Sequence, residues 1–397
     1  MFRTTPPPVY LIALGAFALG MASYVTAGLI PMIGQAFSVD VAIAAQLVTA
    51  FTLAYGLGSP LCVALLPAHR QRLGLLAALA VFVLANVASA LVEDFALLMA
   101  CRAVAGLGAG VYLATGIAAA AAVTPAGRRG SAIALIMTGM ASGTVLGVPL
   151  SLLLAERLGW QAALWLVALL GALAWLGLAA RLPALVAPPR LNTQGRLVLL
   201  RDARVLALLA VSLLAAMASL GMYTFIAPLM SDPAYGGIPS VTPYLWVWGL
   251  GGVAGSFLVG PLAERIEGPT LTLLIMLVLG ASLLALPLAA ALDPWLALLP
   301  IALWGAVGWA LQVPQNNALI SAREQHGDGN LAVALNESAL YLGSALGAGA
   351  GGLLLLWQVP GWGLAVSAGA VALLGAVLQG VMLAQPPRRD LSPSRQG

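Results

Sequence analysis

Apolar residues fill this chain in long blocks, and charges, prolines and small polar clusters fall mostly between them. Cut at those breaks, the chain gives twelve runs of about 20 residues or more, the length a helix needs to cross a hydrocarbon layer ~30 Å thick. The first six cover approximately 9–33, 44–66, 73–92, 96–123, 131–155 and 161–180. The second six cover 205–230, 242–263, 270–291, 295–319, 331–356 and 361–384. The pattern predicts an all-α integral membrane protein with twelve transmembrane helices in two pseudo-symmetric six-helix bundles. The bundles occupy 1–180 and 205–384, with a polar, arginine-bearing linker at 181–204 and a tail at 385–397. The first run is too long for the core of a signal peptide, so it reads as the first spanning helix.

One stretch within the fifth run organises the rest. Gly139, Gly143 and Gly147 recur every four residues, so they share one helix face. That small-xxx-small spacing lets a second helix approach backbone to backbone in lipid, and Pro149 removes a donor just past the glycine face and bends the helix. The eleventh run carries Gly343, Gly347, Gly351 and Gly352 at the same place in the second half. Internal repetition of this kind is the basis of alternating-access transporters, whose substrate sites lie near the midplane between the halves. The glycine faces are expected to slide or bend against neighbouring helices as one side closes.

Composition excludes a soluble reading. Hydrophobic residues make up 61% of the chain and charged residues 8%, against roughly a quarter charged in soluble domains. All seventeen basic residues are arginine. With the N-terminus inside, fifteen of them fall in inside segments, Arg157 alone falls outside, and Arg102 lies within a span. This is a decisive positive-inside bias, and it requires an even number of spans. The absence of lysine excludes a Walker-type phosphate loop. His69 and His326 belong to separate loops, and no cluster of His, Cys and acids has metal-ligand spacing. No cofactor, metal or nucleic acid is expected, and the loops are too short for a catalytic domain, so the chain is not read as an enzyme. Cys62 and Cys101 lie in apolar runs and read as small buried hydrophobes.

Ionisable groups inside spans are costly and therefore functional candidates. Two qualify. Arg102 lies eight residues past Asp94, about 12 Å into the fourth helix, and its fixed positive charge must face a cavity or a partner. Glu337, beside Asn336 near the start of the eleventh helix, is the best candidate for taking up and releasing a proton. Substrate contacts are expected among neutral polar and aromatic residues. The tenth run clusters Gln312, Gln315, Asn316 and Asn317 around Pro314, and bare amides should face the interior rather than lipid. Tyr55, Asn86, Tyr112, Tyr223, Trp304 and Tyr341 are the further candidates, and Gln46, Trp246, Trp248 and Trp309 could line the same pocket.

These motifs, in their order and spacing, resemble the major facilitator superfamily over essentially the whole chain. The resemblance is to its drug:proton antiporter branch, most like the arabinose-efflux-permease and sugar or chloramphenicol exporter group. It is carried by GLIPMIGQAFSV at 28–39, AYGLGSPL at 54–61 and FALLMACRAVAGLGAG at 95–110. It continues in GTVLGVPL at 143–150, LGW at 158–160, FIAPLM at 225–230 and NESALYLGSALGAGAGG at 336–352. The resemblance implies a part for Arg102 in proton relay or in binding a substrate anion. It also implies gating contacts at Glu264 and Arg265 in GPLAER, the sister of the loop PAHRQR. Three positions depart from the family pattern. The loop after the second run has no acid, Thr144 stands where the antiporter motif commonly has proline, and Ser23–Tyr24 replaces an acid before an aromatic residue.

The whole therefore reads as a secondary active transporter, a proton-coupled exporter of a small organic molecule (drug, sugar or metabolite) working by alternating access. An uncoupled facilitator or exchanger of the same fold is the alternative, and a non-transporting membrane sensor or scaffold the remote one. The expected setting is the bacterial inner membrane, multi-pass, with both termini cytoplasmic. The expected partners of the monomer are its substrate, protons and the lipid bilayer.

Overall fold

The computed structural model describes residues 6–58, 62, 66, 70–125, 129–184, 202–235, 237–323 and 329–384. Most of the expected linker, the expected tail, His69, His326 and the end of the second run lie outside the described residues. Among the described residues, twelve helices are long and apolar enough to cross a membrane. They are α1 (Pro7–Phe37), α2 (Val41–Gly58), α3 (Gln71–Leu91), α4 (Phe95–Val123), α5 (Ser131–Leu158) and α6 (Trp160–Arg181) in the first half. The second half holds α7 (Ala203–Ser231), α8 (Thr242–Arg265), α9 (Gly268–Leu292), α10 (Pro294–Ala322), α11 (Leu335–Leu356) and α12 (Gly361–Ala384). Successive helices reverse direction, so the first and last described residues share one end of the bundle, called here the near end.

Acids mark several helix starts instead of entering the spans. Asp94, Asp202 and Asp293 accept backbone N–H bonds from Leu97, from Arg204 and Val205, and from Trp295, which satisfies donors that a helix start leaves unpaired. α1 runs beyond its apolar core to Phe37, where Ser38 turns left-handed at φ 53° and ends the helix. Outward faces are apolar, with Leu84, Phe257, Leu288 and Val377 exposed, as a bilayer requires of a surface with no water to meet.

Each half repeats one packing plan. α1 packs on α5 and α6, α2 on α4, and α3 on α6; in the second half α7 packs on α11 and α12, α8 on α10, and α9 on α12. The glycine faces make this approach close. A Cβ at Gly139 or Gly143 would collide with the carbonyl of Ala13 or Phe17 in α1, and one at Gly343 or Gly347 with that of Leu213 or Met217 in α7. These contacts sit inside each half, tying α5 to α1 and α11 to α7. Those four glycines join neighbouring helices of the same half, whereas Gly352 of α11 meets α2 across the halves. Across the halves, α2 meets α11, α1 meets α7, and α8 meets α5 over Gly143–Leu158.

Two helices carry a wide turn where proline follows. In α5, Val148 N–H bonds back to Gly143 O across the π-helical turn Gly143–Gly147, and buried Pro149 comes next. In α2 the π-helical turn covers Ala54–Gly58, two residues before Pro60. Proline cannot donate to the preceding turn, and single π-turns of this kind collect at functional places in helices.

Candidate functional site

A cavity of about 330 Å³ lies between the halves, in the middle and near-end part of the bundle. Its walls follow helical periodicity. α5 contributes Met137, Met140, Ala141 and Thr144, α7 Ser212, Ala215, Ala216 and Ser219, and α10 Gly308, Leu311, Gln312 and Gln315. Each set repeats at three, four and seven residues, which is one helix face. The wall also includes Tyr24 of α1, Thr138 of α5, Leu220 of α7, Trp248 and Ser256 of α8, Leu279 of α9, Trp309 and Val313 of α10, and Asn336, Glu337, Leu340 and Tyr341 of α11.

The far end is sealed by contacts between halves. At the end of α5, the Glu156 carboxylate accepts hydrogen bonds from Ser240 Oγ and, at 3.0 Å, from Thr242 Oγ1 at the start of α8. Gly352 of α11 lies against Gln46 and the Ala42 carbonyl of α2, where a side chain would not fit. Nearer the centre, Tyr24 meets Tyr223 edge to face at 5.5 Å between ring centroids, and Tyr223 meets Trp248 at 4.5 Å. Sequence reasoning passed over Tyr24 except as a departure from the family pattern. Its signal was its place beside the missing helix-one acid.

Among the described residues, Glu337 is the only acid on the cavity wall, and no basic residue shares that wall. It shares that wall with Tyr24 and Tyr341. One turn along α11, Tyr341 lies within 3.3 Å of Ser23 Oγ and stacks on Tyr55 at 3.5 Å between centroids. Helices α1, α2 and α11 thus meet beside the carboxyl group, so a change in its charge is felt on both halves.

Several polar atoms of the wall have no hydrogen-bond partner among the described residues. They are Ser212 Oγ, Trp248 Nε1, Asn336 Oδ1 and both amide atoms of Gln315, whose side chain is 1% exposed. Asn336 donates instead to Asn316 Oδ1 at 3.0 Å. Buried polar atoms normally find partners, so this set marks a place built for something else to bind.

Of the residues picked from sequence, the cavity wall includes Glu337, Gln312, Gln315 and Tyr341, together with Trp248 and Trp309. Others lie elsewhere. Arg102 is buried in the first half, where it donates to Asn86 Oδ1 at 3.0 Å and to the Ala22 carbonyl at 2.8 Å, with its guanidinium 4.7 Å from the Phe51 ring centre. It joins α4 to α3 and α1, and Asn86 is its partner rather than part of the wall. Tyr112 donates to the Ile12 carbonyl at 3.1 Å, and Trp304 Nε1 donates to Ser219 Oγ at 2.7 Å. Tyr55 and Tyr223 stand behind Tyr341 and Trp248, Asn316 is held by Asn336, and Asn317 is exposed against the expectation that every amide of the cluster faces inward. Glu264 and Arg265 are exposed at the near end of α8 and form no ion pair among the described residues.

The Arg102 network has a measurable consequence. Arg102→Leu leaves Asn86 Oδ1 unpaired, at a cost of about 1–3 kcal/mol, and thermal unfolding in detergent should register it as a lower Tm. The double variant with Asn86→Leu should lose less than the two single losses combined, because the pair acts as a unit. Additive losses would show that the two residues are independent.

The family description for the Major Facilitator Superfamily matches residues 12–330. The chain is 32% identical over 383 residues to the inner membrane transport protein YdhP of Escherichia coli (strain K12), covering 95% of this chain and 94% of that one. It is 34% identical over 266 residues to a chloramphenicol resistance protein of Streptomyces lividans, covering 66% of this chain and 67% of that one. Among solved structures, a D-xylose-proton symporter superposes with a TM-score of 0.76 at 14% identity, over 94% of this chain and 96% of that one.

Proposed function

The chain belongs to the major facilitator superfamily, and from that premise we propose that it is a proton-coupled exporter of a small organic molecule. It is a multi-pass inner-membrane transporter of small solutes and not an enzyme. The observation that carries the finer reading is the lone carboxyl group of Glu337 on a cavity wall shared by both halves, with the far end sealed. The distribution of arginine favours a cytoplasmic near end and, with it, cytoplasmic termini.

In this reading the described state takes substrate from the cytoplasm. A substrate that settles beside Glu337 favours release of its proton to the same side. Breaking the Glu156 contacts and closing the near end then turns the cavity outward, where Glu337 takes a proton and substrate leaves. Two cargoes compete for one site, and that competition is the coupling. Supporting it, Glu337 lies one turn from Tyr341, through which α11 touches Ser23 of α1 and Tyr55 of α2. The family's names for its relatives, which include resistance to chloramphenicol, favour the outward direction. Arg102 serves in this scheme as a rigid tie within the first half.

The test is reconstitution of the full chain in liposomes with an imposed pH gradient and a broad panel of metabolites and antibiotics. Solute movement that follows the gradient and acidifies the opposite compartment is the expected result. Counterflow that persists unchanged once the gradient is collapsed would assign the chain to facilitators instead. No movement of any solute would overturn transport itself.

A further inference from the structure

The unpartnered polar atoms of the cavity belong to one half. Ser212 Oγ, Trp248 Nε1, Gln315 Nε2 and Oε1, and Asn336 Oδ1 come from α7, α8, α10 and α11. The first half faces them with Tyr24, Met137, Thr138, Met140, Ala141 and Thr144, and the Thr144 hydroxyl is already bonded to the carbonyls of Gly20 and Met140. Methionine adapts to irregular apolar shapes and aromatic edges. The buried unpartnered polar atoms thus lie on the second half, opposite a face of the first half that carries Met137 and Met140.

Gln315 is the most telling of these groups. It is 1% exposed, and neither its NH₂ nor its carbonyl oxygen has a partner. Reversing the amide changes nothing in that statement, so it does not depend on which atom was placed where. A buried amide with both ends free is complementary to a donor beside an acceptor, the edge shown by a lactam, a primary or secondary carboxamide, or a nucleobase. Trp248 Nε1 adds a donor that needs an acceptor, and the Trp248 and Trp309 rings offer faces for a flat group. Glu337 on the same wall, with no cation beside it, disfavours anions.

We infer that the substrate is an amphipathic, non-anionic molecule whose amide-type donor–acceptor edge is read by Gln315, with its apolar remainder against Met137 and Met140. This rests on the transporter reading above and names the chemistry of the same site. A site built to bond such an edge rejects the analogue that lacks the donor, because its own amide is then left unpaired. Gln315 is accordingly the specificity-determining residue.

The experiment is a titration of the purified full chain with matched pairs, followed by tryptophan fluorescence and by thermal shift. The pairs are uracil and its N,N′-dimethyl derivative, benzamide and N,N-dimethylbenzamide, and δ-valerolactam and its N-methyl derivative. The donor-bearing member should bind about tenfold or more tightly than its methylated partner, and Gln315→Leu should erase that preference. Gln315→Leu should also leave Tm unchanged or raised, since it removes an unpaired buried amide. A drop in Tm would instead make Gln315 a structural residue and overturn the inference. Equal binding of both members, a preference that survives Gln315→Leu, or no binding of any member would overturn it as well. In each of these cases gradient-driven movement of some other solute leaves the transporter reading standing, whereas no movement of any solute removes that reading itself.

Discussion

Gly143→Leu is expected to abolish transport while the chain still inserts in the membrane. Insertion follows from the apolar spans and the arginine distribution, neither of which this change touches. Packing does not survive it. A first added carbon at Gly143 already meets the Phe17 carbonyl of α1, and the leucine adds three more behind it. A side chain could rotate away from such a clash, but a helix carbonyl moves only with its helix. Overpacking costs about 1–3 kcal/mol in a well-packed core, and here it must separate α5 from α1 beside the wide turn Gly143–Gly147. Because α5 carries the cavity face at Met140, Ala141 and Thr144, a displaced α5 also deforms the binding wall. Membrane fractionation should find normal amounts of the variant, and uptake into vesicles should find no activity. Gly347→Leu should do the same through Met217 of α7, since the second half repeats the arrangement. Full transport by either variant would show that close helix approach is dispensable.

Glu337→Gln is expected to separate substrate movement from proton movement. Glutamine keeps the shape of the protonated acid but cannot release a proton. Transport driven by a pH gradient should fall by more than about tenfold, roughly 1.4 kcal/mol or more of lost coupling. Substrate exchange at equal pH should continue, because the cavity and its amides are intact. Proton release measured with a trapped pH dye should vanish in the same vesicles. Gradient-driven transport at the wild-type rate would remove Glu337 from the coupling step. The absence of an acid at Ser23–Tyr24 makes this variant decisive, since the cavity wall offers no second carboxyl group.

The twelve spans and their paired halves were legible because burial in lipid leaves a simple trace, long apolar runs broken by charge. Only their ends differ. α1 extends past the run ending at Ile33 as far as Phe37, because a helix can continue beyond the apolar layer until a left-handed residue stops it. Glu337 and Gln315 were legible for the same reason, as costly groups in apolar surroundings. The cavity faces of α5 and α7 were not. Ser212, Ala215, Ala216 and Ser219 have a spacing as regular as Gly139, Gly143 and Gly147. One set faces a void and the other the adjoining helix α1. Periodicity identifies a face without saying what stands opposite. Asn86 and Tyr112 fail in the same way. A buried amide or phenol needs a partner, and only the adjacency of α3 to α4 and of α4 to α1 reveals Arg102 and the Ile12 carbonyl as those partners.

The central claim is that the two halves rock about the cavity, opening one end as the other closes. Pulsed spin-label distances test it most directly, in a chain where Cys62 and Cys101 are replaced by serine. One pair, Leu158→Cys with Leu292→Cys, spans the halves at the far end, and another, Leu73→Cys with Leu262→Cys, spans them at the near end; all four side chains are exposed. On going from mildly acidic to mildly alkaline solution, which favours release of the Glu337 proton, the far-end distance should lengthen as the near-end distance shortens. Distances that stay fixed, or that lengthen together at both ends, would contradict it.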